Sequence, residues 1–170
     1  MAMRQCILLF PELTNGCQID RYRERFDPLA KKIAPHVTLV FPFESAGLES
    51  EALAHYAAER IQGIGAFELE AALPAVVEEG YVYLRIQSGG SQMRRMHERL
   101  YSGELRSFLR TDVDYEPHIT IGRYADEAAA FEARKALVTL CGPFRAQVRE
   151  VIIERIGADE QSMADSRLPL

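Results

Sequence analysis

One five-residue pattern occurs twice in the chain, as Pro35-His36-Val37-Thr38-Leu39 and Pro117-His118-Ile119-Thr120-Ile121. With 8 Pro and 4 His among 170 residues, chance supplies only about 0.2 Pro-His pairs. Two occur, and both continue as aliphatic-Thr-aliphatic. The histidines stand 82 positions apart, close to half the chain, the separation expected of two similar lobes. Aliphatic and β-branched residues mark both copies as strands, in which successive side chains point to opposite faces. His36 and Thr38 therefore share one face while Val37 and Leu39 take the other, and His118 and Thr120 stand in the same way against Ile119 and Ile121. Each strand offers an imidazole and a hydroxyl to one side and anchors itself with its aliphatic residues.

Around these copies the chain alternates strands and helices. Residues 6–10 are almost continuously apolar and end at Pro11, the pattern of a strand covered on both faces at a sheet centre. Helical character follows over residues 19–26, and Asp27-Pro28 reads as the cap and first turn of a further short helix. Residues 36–41 form the first motif strand, and residues 49–61 have helical spacing through Leu53, Tyr56, Ala57 and Ile61. Residues 67–77 and 81–87 read as a hairpin turning at Glu79-Gly80. A helix is expected over residues 91–109, the second motif strand over 118–123, an Ala-rich helix over 126–140, and one long strand over 144–156. Residues 157–166 read as a loop or flexible segment. No Pro/Ser-rich linker interrupts this order, so residues 1–170 read as one α+β domain of two lobes.

Composition narrows the function classes. A chain 48% hydrophobic and 26% charged has the makeup of a compact domain with a core. The apolar run at residues 7–10 is far shorter than a spanning helix or a signal segment requires, so the expectation is a cytoplasmic protein with no membrane partner. The three cysteines, Cys6, Cys17 and Cys141, are odd in number and widely spaced, which argues against a disulfide framework or a thiolate metal site. A formal net charge of −5 argues against a broad grip on duplex DNA. A nucleotide or an RNA end held in a local basic cleft remains open.

Two imidazoles and two hydroxyls facing one groove are suited to in-line displacement at phosphorus. A neutral His takes a proton from the nucleophile, a protonated His gives one to the leaving oxygen, and the hydroxyls hold the non-bridging oxygens. Zinc would need a third and usually a fourth ligand, and neither motif strand supplies Cys, Asp or Glu two residues after its His.

At His36-x-Thr38 and His118-x-Thr120 the chain resembles the 2H phosphoesterases, which include the 2′-5′ RNA ligases and cyclic nucleotide phosphodiesterases. Element order and length extend the resemblance over nearly the whole chain. It implies a bilobal, pseudo-symmetric α+β fold, with two mainly antiparallel sheets around a central cleft and helices outside. It also implies His36 and His118 as the acid/base pair, Thr38 and Thr120 as phosphate ligands, and no metal or other cofactor. The expected activity is opening of a 2′,3′-cyclic phosphate, or a related phosphodiester, on an RNA end or nucleotide. The alternatives are 2′-5′ RNA ligation and a non-catalytic module that binds a nucleotide or RNA end in the same cleft. The first motif continues as Val40-Phe41-Pro42-Phe43 where RNA-ligase members commonly have Phe-Leu-Gly, a departure that resembles a bacterial branch of the superfamily.

The remaining candidates are weaker. Arg123 matches a basic position that follows the second motif in RNA-ligase-like members, yet ideal alternation points it away from His118 unless a bulge intervenes. Gly122 shares the His118 face on that ideal alternation and would leave room for a ligand. Tyr83 and Arg85 lie on a strand that could line the groove and stack on a base. The Arg21, Arg23 and Arg25 cluster, Lys31 and Lys32 read first as a solvated face. His55 reads as a surface residue and His97 as a core-boundary one.

Overall fold

A computed structural model of the chain describes residues 4–44, 49–78 and 80–170. Glu79, half of the expected Glu79-Gly80 turn, lies outside the described residues; Gly80 has φ +84°, the left-handed conformation that glycine adopts freely. The elements are β1 (Arg4–Leu9), α1 (Gly16–Phe26), β2 (Val37–Glu44), α2 (Ser50–Ile61), β3 (Phe67–Glu78), β4 (Tyr81–Ser88), α3 (Gly90–Leu100), β5 (His118–Arg123), α4 (Glu127–Ala136), β6 (Phe144–Val148), β7 (Glu150–Ile156) and β8 (Ser162–Pro169). They form an α+β fold with two four-stranded sheets, ordered β2-β1-β7-β8 and β5-β4-β3-β6. Every neighbouring pair is antiparallel.

This order puts both motif strands at sheet edges. β2 is the edge of the first sheet and β5 the edge of the second, and the two run within 8 Å of one another at Cα. The aliphatic residues Val37, Leu39, Ile119 and Ile121 are fully buried and belong to one core cluster drawn from both sheets. The motif's hydrophobic half thus anchors it while its polar half faces away from that cluster. Helix α1 packs on β5, and α3 packs on β2 and α2. The stripe Leu53, Tyr56, Ala57 and Ile61 is the buried face of α2, as the helical spacing predicts.

Four expectations need correction. Residues 27–33 form turns instead of a helix, because the Asp27 side chain accepts from the Leu29 N–H only two residues on, an Asx-type turn. The helix expected to reach Leu109 ends at Leu100. Ser102 Oγ donates to the Arg99 carbonyl, a Cβ on Gly103 would come within 3.0 Å of Tyr56 Oη, and Glu104–Phe108 is a separate 3₁₀ turn. Residues 144–156 are two strands, since the chain leaves β3 after Val148, pairs with β8 from Glu150 and joins β1 from Ile152. Half of the segment expected as loop, residues 157–166, is strand: a short turn closes at Gly157, whose N–H donates to Gln161 O, and residues from Ser162 pair with β7.

Candidate active site

The two histidines are held by the same local device. His36 Nδ1 donates to the Ala34 carbonyl at 2.8 Å, and His118 Nδ1 donates to the Glu116 carbonyl at 2.7 Å. In each case the acceptor precedes a proline, which keeps the residue before it extended. A carbonyl can only accept, so Nδ1 carries the hydrogen and Nε2 is left with the lone pair in the neutral ring. His36 sits just before β2, whereas His118 opens β5.

Register fixes which side chains share the motif faces. On the second sheet Arg85 lies opposite His118, Tyr83 opposite Thr120, and Tyr81 opposite Arg123. The Tyr83 and His118 ring centroids are 4.8 Å apart, and Arg85 pairs with Glu116 at 3.4 Å. Pairing skips Ile121, a bulge that resets the alternation. Arg123 is thereby brought to the His118 face. Gly122 is turned instead toward α1, where a Cβ would come within 3.4 Å of Phe26, so it leaves no room for a ligand. On the first sheet Thr38 lies opposite Leu8, and Phe10 packs beside His36 with ring centroids 5.8 Å apart.

Two ties join the motif arms. Tyr115, three residues before His118, donates its hydroxyl to the Thr38 carbonyl at 2.8 Å. His97 stacks on Tyr115 at 3.7 Å and hydrogen-bonds the Leu39 carbonyl. The second tie is the ion pair of Arg123 with Asp27. The Asp27 side chain is fully buried and also pairs with Arg23 at 2.9 Å, while Arg23 donates to the Ile33 carbonyl. Arg23 is thus a buried structural residue, in contrast to the solvated face expected of the arginine cluster. Arg21 and Arg25 are exposed, and His55 is exposed beside Glu59. Asp27 reads in the sequence only as a helix cap and Tyr115 carries no signal there, since the ties that Asp27 makes to Arg123 and Tyr115 to Thr38 reach partners distant in sequence.

Burial pushes His36 down from its ordinary value to about 4, against the stabilising hydrogen bond to Ala34; Arg23 and Arg123 add to the depression and Asp27 opposes it. His36 is consequently neutral at pH 7, with Nε2 able to accept a proton. Among the described residues no three His, Cys, Asp or Glu side chains gather as a metal-ligating group, and no helix is long and apolar enough to cross a membrane.

The model of the 2′-5′ RNA ligase superfamily matches residues 10–160. A provisionally named phosphoesterase of Geobacillus sp. (strain WCH70) is 31% identical over 126 residues, covering 71% of this chain and 69% of the relative. Among solved structures, E. coli LigT complexed with 3′-AMP has TM-score 0.66 at 19% identity over 100% of this chain and 99% of that one. LigT complexed with ATP has TM-score 0.63 at 20% identity over 99% and 98% of the two chains. The fold is therefore the LigT-like one, with its two sheets and flanking helices.

Proposed function

The chain belongs to the 2′-5′ RNA ligase superfamily, a family of phosphodiesterase and ligase-like enzymes, and from that premise we propose that it hydrolyses a 2′,3′-cyclic phosphate on an RNA end or nucleotide without a metal. The observation that carries this reading is the matched anchoring of His36 and His118, which leaves Nε2 of each ring available on adjoining edge strands. In the reaction His36, kept neutral by burial, accepts a proton from the attacking water as its oxygen bonds to phosphorus. His118, protonated, gives its proton to the ribose oxygen whose bond to phosphorus breaks, which balances the step. The Thr38 and Thr120 hydroxyls donate to the non-bridging oxygens, and Arg123 and Arg85 offset their negative charge. The nucleotides held by the LigT structures support a nucleotide substrate here.

The test is a turnover screen with EDTA present throughout, against 2′,3′-cyclic mononucleotides, an RNA end carrying a cyclic phosphate, and ADP-ribose cyclic phosphate. Hydrolysis of a 2′,3′-cyclic phosphate to one phosphomonoester is expected. Joining of RNA ends without net hydrolysis would favour ligation, and binding without turnover would leave a non-catalytic module.

A further inference from the structure

A pocket of about 530 Å³ opens beside His36 on the first sheet, bordered by Ala34 and Pro35 and walled by Phe10. Register connects it to the first motif: Thr38 pairs with Leu8, Leu8 with Ile152, and Ile152 with Arg167. These four residues form one row on one face. Strands lie about 4.8 Å apart, so Ile152 is about 10 Å from Thr38, the direction in which the rest of a substrate would extend from a phosphate held there. Ile152 and Glu154 line the pocket, with Lys31, Lys32 and Arg167 around it.

Glu154 is the residue the reaction leaves unexplained. It is 95% buried, and its Oε2, like Ser162 Oγ on the same pocket, lacks a hydrogen-bond partner among the described residues. A buried acceptor without a donor is costly and is readily understood where a ligand supplies the missing N–H. We propose that this pocket is the base subsite of the cleft and takes a base bearing an exocyclic amino group, with the Glu154 carboxyl accepting from its N–H and Phe10 against its ring. The inference rests on the cyclic-phosphate reading above and adds the base that the substrate carries. Lys31, Lys32 and Arg167 draw in the anionic part of the ligand, and the carboxyl discriminates. Uracil, which carries no amino group and presents carbonyl oxygens at that edge, is disfavoured.

The test is calorimetric titration of the full chain with 3′-AMP and 3′-UMP at one salt concentration, with inorganic phosphate in parallel. The expected result is 3′-AMP about 10-fold or more tighter than 3′-UMP. Glu154→Met removes the acceptor at similar volume, and Ala164→Leu fills the same pocket from β8; either should bring 3′-AMP to the level of 3′-UMP and leave phosphate binding unchanged. Urea denaturation establishes that each variant is folded, and either one alone decides the question. Equal affinities in the unaltered chain, or a preference that survives either substitution in a folded variant, overturns the base subsite and leaves the phosphate site standing. Binding of phosphate but of neither nucleotide also overturns it. A chain that binds neither nucleotide nor phosphate overturns the cyclic-phosphate reading itself.

Discussion

Replacing Glu154 with Gln removes one of two groups whose titrations act on stability in opposite directions. His36 is held at about 4 instead of 6.5, chiefly by burial. Between those values the unfolded chain binds the proton and the native protein does not, so His36 makes stability rise with pH. Glu154 is pushed from 4.5 to about 7, again chiefly by burial, with Arg167 opposing. Between those values the native protein holds the proton and the unfolded chain has lost it, so Glu154 makes stability fall as pH rises. Each slope is about 1.4 kcal/mol per pH unit. From pH 4.5 to 6.5 the windows overlap and the slopes offset, each amounting to about 2.7 kcal/mol over the interval. Glu154→Gln should therefore gain about 2 to 3 kcal/mol relative to the unaltered chain as pH rises across that interval, and His36→Asn should lose as much. Urea denaturation at pH 4.5, 5.5 and 6.5 measures both differences. Variant curves that run parallel to the unaltered chain's would refute the assignment of these titrations.

Asp27→Asn removes the charge that Arg23 and Arg123 share. Breaking a buried pair of this kind should cost about 3 kcal/mol or more in urea denaturation and lower turnover as well, because Arg123 is no longer held; unchanged values of both would contradict the tie. Tyr115→Phe deletes the hydroxyl that donates to Thr38 O but keeps the ring on which His97 stacks. A loss of about 1 kcal/mol in the same assay is expected, together with reduced kcat, since the motif arms lose one of their two links.

The motif strands were legible because their information is local: alternation fixes which residues anchor and which face the groove, and β5 spans His118–Arg123 as read. What stayed hidden depends on pairing partners. Between Val148 and Val151 only the charged pair Arg149-Glu150 interrupts the strand pattern, a one-residue slip that does not reveal that β6 lies in one sheet and β7 in the other. β8 is largely polar because it is an edge strand, and it reads like a loop. Asp27 before Pro28 looks like a helix cap, although one of its two arginine partners, Arg123, lies 96 positions away. The place of Arg123 turned on the bulge at Ile121, a matter of register that one strand's sequence does not determine.

The most direct test of the two-histidine account is steady-state hydrolysis of a 2′,3′-cyclic nucleotide by His36→Ala, His118→Ala and the double variant, with folding of each established by urea denaturation. Each single replacement should lower kcat by about 10²- to 10⁴-fold. The double variant should fall less than the product of the two losses, as expected when two groups serve one proton transfer sequence. Turnover by the double variant at the rate of the unaltered chain would contradict the account.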